Sequence, residues 1–176
     1  MARLRYVDPG ASTAADAAYA EVGRMGRPIL NLYRALANQP PALAAFLQMS
    51  RYVRSESSLE PGLRELVILA TAQELKQAYE LSHHVQAAQR EGVPAKKIAA
   101  VAQGEPVDLL SEPEQCAVEF ARQVALTRTC DDQLFGRLQS AFSDEQIVDL
   151  VVTTAWYHLC AVILGSLMIE LEADDQ

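Results

Sequence analysis

Residues 150–169 contain no aspartate, glutamate, lysine or arginine. An uncharged run of that length has two stable fates: it crosses a bilayer, or it forms a helix sheathed by other helices. The flanks decide between them. Asp144, Glu145 and Asp149 precede the run and Glu170, Glu172, Asp174 and Asp175 follow it, so neither end carries the basic anchor of a membrane span. Thr153, Thr154, His158 and Ser166 lie inside it. The run therefore reads as the central helix of a bundle, and no membrane partner is expected.

The rest of the chain has the same helical grammar. Stretches rich in Ala, Leu, Glu and Gln recur between Pro and Gly, and alternating β-branched runs are nearly absent, which predicts an all-α fold. The spacing predicts helices over about residues 14–23, 31–37, 40–53, 61–74, 77–91, 94–104 and 131–142. Another follows the capping-box spelling of Ser111 and Glu114, with Cys116, Ala117, Phe120, Val124 and Leu126 on its buried stripe. Ser143 and Gln146 repeat that signal and open a terminal helix expected to reach about Leu171. Gly92 suits a left-handed cap. No repeat or linker divides the chain. The expected layout is residues 1–39 as a helical extension, 40–172 as the main domain and 173–176 as a frayed acidic tail, in one compact unit.

Composition excludes several partners. The 176 residues fit a single domain, and 15 basic against 23 acidic residues leave a formal charge of −8. With Lys76, Lys96 and Lys97 as the only lysines, no nucleic-acid partner is expected. Cys116, Cys130 and Cys160 are odd in number and form no Cys-x-x-Cys, a pattern suited to a reducing cytoplasm. The first ten residues have no apolar run, so no secretory signal is expected.

The most informative residues are Arg64-Glu65-Leu66-Val67-Ile68-Leu69, then Tyr79-Glu80-Leu81-Ser82-His83-His84, then Gly92-Val93-Pro94. In order and spacing they resemble the carboxymuconolactone decarboxylase family, which also holds the alkyl hydroperoxidase D (AhpD) proteins. Asn31-Leu32-Tyr33-Arg34, Pro40 and Trp156-Tyr157-His158 extend the likeness. The resemblance implies a single-domain AhpD-like helical bundle that self-associates as a trimer or hexamer. Ala161 and Gly165, one turn apart, are the candidate part of that contact. In the peroxidase branch a relay Glu, two thiols and a His fall at positions occupied here by Glu65, Gln77, Glu80 and His84. Both thiols are missing, and thiol-based peroxide reduction needs a nucleophilic thiolate with a resolving partner. Hydroperoxidase or peroxiredoxin-type activity is therefore disfavoured. The decarboxylase branch implies chemistry without metal or organic cofactor on a small carboxylated or carbonyl substrate, as a decarboxylase, isomerase or lyase. In that reading His84 and Glu65 are the catalytic acid/base residues, and Glu80, Tyr157, His158 and Arg34 contact the substrate.

Each of these residues also has a purely structural role open to it. Glu65 near a helix start favours the dipole by about 0.3–1 kcal/mol. Arg64 reads as a solvated neighbour. Glu80 and His84, four apart, form an ordinary intrahelical pair of about 0.2–0.5 kcal/mol, and His83 falls toward the surface. Glu80 and His83 spell one Glu-x-x-His, but a di-metal bundle needs a second copy and two further Glu, so no metal is expected. Arg34, Arg51 and Arg54 are the guanidiniums considered for a substrate carboxylate. Trp156 and Tyr157 suit a core, and the three cysteines suit buried small hydrophobes. A non-catalytic helical binding or assembly protein is the remaining alternative.

Overall fold

The computed structural model describes residues 2–106 and 108–172, so the acidic tail 173–176 lies outside the described residues. Every described element is helical, as the sequence predicts: α1 (Thr13–Arg24), α2 (Asn31–Leu36), α3 (Pro40–Arg51), a π-helical turn (Tyr52–Glu56), α4 (Pro61–Glu74), α5 (Ala78–Arg90), α6 (Ala95–Ala102), α7 (Glu112–Thr127), α8 (Asp132–Ala141) and α9 (Asp144–Leu167). The π turn occupies residues where a loop is expected from Ser55. Helix α9 stops four residues before the expected end because Met168 takes φ +51, a left-handed conformation, and the Ile169 N–H turns back to the Leu164 carbonyl at 3.0 Å. Gly92 takes the left-handed conformation its position predicts, with φ +78.

Two compact units result. One holds the residues up to Glu56 together with those from Ile163 onward. Its core is Ala15, Tyr19 and Val22 of α1 with Leu32 and Tyr33 of α2 and Leu43, Phe46 and Leu47 of α3. Ser12 caps α1, its side chain accepting from the Ala15 N–H. The carboxyl-terminal strap is tied to α2: Glu172 accepts from the Asn31 N–H at 2.6 Å, and the Asn31 amide donates to the Glu170 carbonyl at 3.1 Å.

The other unit spans Ser57–Val162 and is built around α4, which packs on α5, α6 and α7. Every α4 residue from Leu63 to Ala72 is buried, because apolar side chains occur on all faces of the helix and find neighbours on every side. Its start is set by two features. Glu60 accepts from the Leu63 N–H at 2.8 Å, and Pro61 begins the first turn, where its missing N–H loses nothing. Gly62 permits close packing there: a Cβ would meet Val93 at 3.0 Å and the Glu60 carboxylate at 3.1 Å. Phe120 of α7, Leu138 of α8 and Leu150 of α9 complete the core with Leu66 and Leu69, whereas Leu126, expected on the buried stripe of α7, is 62 % exposed because it falls in the last turn, off the face that carries Phe120 and Ala117.

Helix α9 is long and apolar enough to cross a membrane by length and composition, with a mean hydropathy of 1.8 over its most apolar window, yet half of that window is buried within protein. Two polar ties hold its buried face within the second unit. Asp149, 2 % exposed, accepts from both the N–H and the hydroxyl of Ser58 at 2.7 Å, and Gln77 donates to the Ala161 carbonyl at 3.4 Å.

Candidate active site

Helix α4 carries Glu65 into the core of the second unit, and α5 brings His84 to meet it. Glu65 is 1 % exposed and His84 2 %, and His84 Nδ1 lies 2.6 Å from Glu65 Oε2. A contact this short between nitrogen and carboxylate oxygen is a charge-assisted hydrogen bond. One helical turn before His84 on α5, Glu80 reaches the other ring nitrogen, with Oε2 3.3 Å from Nε2. It too is buried, at 6 % exposure. Both imidazole nitrogens are thus engaged by carboxylates, one from a neighbouring helix and one from the same helix.

From α9, Tyr157 closes the third side. Its ring meets that of His84 edge to face, with centroids 4.9 Å apart and planes at 89°. Tyr157 is 4 % exposed. The ring removes His84 from water on this side and fixes the imidazole plane, so Glu65 and Glu80 stay aligned with the two nitrogens.

Arg64 departs from the sequence expectation of a solvated neighbour, being 6 % exposed. Its face of α4 continues through Val67, Ile68 and Thr71, all fully buried, so no polar side of this helix remains to hold it in solvent. Its Nε is sealed from water without a hydrogen-bond partner and stands 3.9 Å from Glu65 Oε1, too far for a hydrogen bond. On α9, one turn before Tyr157 and on the same face, the Thr153 and Thr154 hydroxyls are likewise buried without a partner. An unsatisfied buried polar group costs about 1–3 kcal/mol. These three were not singled out from sequence, although a charged residue in an otherwise apolar helix and two hydroxyls in an uncharged one were the available signals.

The remaining expected residues have other surroundings. His158, half-buried beside Tyr157 on α9, has its Nε2 sealed without a hydrogen-bond partner, and burial first, then Arg128, lowers its pKa below the ordinary imidazole value. Arg34 belongs to the first unit. There it pairs with Asp8, donates to Asn31 at 3.0 Å and lies over the Tyr6 ring, 5.1 Å from its centre. His83 points its ring against Tyr79, with centroids 4.6 Å apart.

Residues 40–123 match the model of the carboxymuconolactone decarboxylase family. Over that segment the chain is similar to this family. The match includes Arg64, Glu65, Glu80 and His84, whereas Arg34, Tyr157 and His158 fall outside it. Among curated proteins, the uncharacterized protein YdfG of Bacillus subtilis is 25% identical over 115 residues, 64% of this chain and 78% of that one. The fold is that of an uncharacterized peroxidase-related protein of Ralstonia eutropha with an alkylhydroperoxidase AhpD core, at a TM-score of 0.82 and 17% identity, covering 99% of this chain and 94% of that one. The debrominase Bmp8, solved as a cysteine-to-alanine variant with 2,3,4-tribromopyrrole, is equally similar: TM-score 0.82, 15% identity, 99% of this chain and 96% of that one.

Gln77 and Glu80 stand where the peroxidase branch of that family is expected to hold its thiols. Gln77 donates to the α9 backbone and Glu80 Oε2 lies 3.3 Å from His84 Nε2. The cysteines it does have are all free thiols. Cys116 is buried in the α7 core, and burial pushes its pKa up; burial does the same to the half-buried Cys130, where Asp131 adds to the effect. Neither is an activated thiolate.

Proposed function

We propose that this protein is a cofactor-independent acid/base enzyme that moves a proton at an activated carbon of a small carboxylated or carbonyl substrate, as a decarboxylase, isomerase or lyase. One observation carries the reading: a single buried imidazole held between two carboxylates, at 2.6 Å and 3.3 Å. With both nitrogens engaged, His84 works as the relay of the group. Glu65 anchors Nδ1 and balances the charge of the imidazolium when it forms. Glu80 exchanges its proton with Nε2 and presents its carboxyl group to the substrate. It takes a proton from carbon or returns one, while His84 resets its protonation state. Proton transfer of this kind needs no redox group, and the presence of Gln77 and Glu80 where the peroxidase branch is expected to hold its two thiols supports acid/base over peroxide chemistry.

The test is a turnover screen on γ-lactone acids and β-keto acids with wild type and three variants. Glu65→Gln, His84→Ala and Glu80→Gln should each lower kcat by about 10²–10⁴-fold while the helical circular dichroism signal persists. Full turnover in all three variants overturns the mechanism and moves the non-catalytic binding reading forward.

Self-association is part of the same proposal. Helix α9 leaves Val148, Val151, Leu159 and Val162 exposed at 44–64 %, with Ala155 between them at helical spacing. A second copy of the chain covering this uncharged stripe accounts for its exposure. The free thiols suit the reducing cytoplasm expected from the sequence.

A further inference from the structure

We propose that Arg64 is the anion-recognising residue of the Glu65/His84 site, receiving a carboxylate of the ligand. The proposal rests on the acid/base reading of that site and adds a residue to it. A guanidinium stays charged at any physiological pH, and a buried charge requires a partner at hydrogen-bond distance. Arg64 is 6 % exposed, and among the described residues its ion-pair contact is with Glu65 alone, through Nε at 3.9 Å. Glu65 gives its other oxygen to His84. The guanidinium therefore sits in the second unit's interior without a hydrogen-bonded counter-ion at Nε, one residue from the relay. Its fork of donors matches a carboxylate in two parallel bonds.

The α9 side of the site carries the matching deficiency. The Thr153 and Thr154 hydroxyls, at 1 % and 0 % exposure, lack partners on the face that bears Tyr157. Unsatisfied donors on α4, beside Glu65, and on α9, one turn before Tyr157, are what a polar ligand would complete. A purely structural Arg64 explains neither its own unmet Nε nor these hydroxyls.

The experiment measures binding in the full-length protein and does not depend on turnover. Acetate and the γ-lactone acid 5-oxotetrahydrofuran-2-carboxylate are compared with acetamide and the lactone amide, with inorganic phosphate as a third arm. The side-chain Nε–Hε resonance of Arg64 is followed in arginine-labelled wild type. Both acids should shift that resonance and bind at least tenfold more tightly than their amides. Arg64→Gln should bring acid and amide to within twofold, and Arg64→Lys, which keeps the charge without the fork, should lie between. Equal binding of acid and amide by wild type, an unmoved Arg64 resonance, or an acid preference that survives in folded Arg64→Gln overturns the proposal. Phosphate bound in preference to both acids overturns the carboxylate assignment. If Arg64→Gln does not fold, the wild-type resonance and Arg64→Lys decide. The acid/base reading fails separately: turnover intact in Glu65→Gln, His84→Ala and Glu80→Gln ends it, whereas the wild-type acid preference and the Arg64 resonance are read without turnover.

Discussion

His158 shows how burial tunes one side chain independently of the relay. Its pKa is lowered from the ordinary value near 6.5, first by burial and then by Arg128, so the folded protein holds the neutral ring more firmly than the unfolded chain does. The unfolded state therefore binds the proton first as the medium is acidified. Stability contributed by neutral His158 is present above about pH 6.5 and declines below it, until the lower folded value is reached. Urea midpoints measured at about pH 7.5 and about pH 5 should fall further for wild type than for His158→Gln. Parallel losses in the two proteins would remove His158 as a contributor. The relay residues lie at the same scale but are controlled by contact: His84 is flanked at both nitrogens, so each of Glu65 and Glu80 restricts what the other can do.

At the scale of elements, helix starts are decided by short local codes, and α7 is the clearest case. Ser111 and Glu114 form a reciprocal capping box, with the Ser111 N–H donating to Glu114 at 2.6 Å. Lys97 of α6 donates to both oxygens of the same carboxylate, at 2.8 and 2.6 Å, so one side chain caps α7 and ties it to α6. Burial pushes the Glu114 pKa upward, but the hydrogen bonds from Lys97 and Ser111 outweigh it and the net shift is down. Its contribution is present at neutral pH and lost as the pH falls through the carboxylate range. Glu114→Ala should cost about 1–2 kcal/mol at pH 7, read from urea unfolding, and the difference from wild type should shrink on acidification. A difference that stays constant down to pH 3 would assign the loss to packing instead.

For the whole molecule, the AhpD-like fold is shared with solved structures, and the assembly state is what solution measurement adds. Light scattering on the purified chain should give the mass of a trimer or hexamer. Val151→Lys combined with Val162→Lys, on the exposed stripe of α9, should shift it toward the monomer without loss of helicity. A monomeric mass for wild type at micromolar concentration would end the self-association proposal.

Much of this was legible in the linear chain because its signals are local. Helical periodicity, Pro and Gly punctuation, the Ser111 capping box and the left-handed Gly92 depend on neighbours within four residues, and they produced the all-α architecture with ends off by a few positions. The association of Glu65 with His84 was implied by the family resemblance, and the structure gives it a distance of 2.6 Å. What the sequence left open depends on packing from all sides. Arg64 has the composition of a surface residue, and only the enclosure of α4 by three other helices makes it a buried cation. Thr153, Thr154 and Tyr157 lie some ninety residues from Glu65, and no local code links them to it; the fold places Tyr157 on the His84 ring. A residue's own neighbours set its helix, whereas its desolvation and its partners are set by segments distant in sequence, which only the tertiary structure brings together.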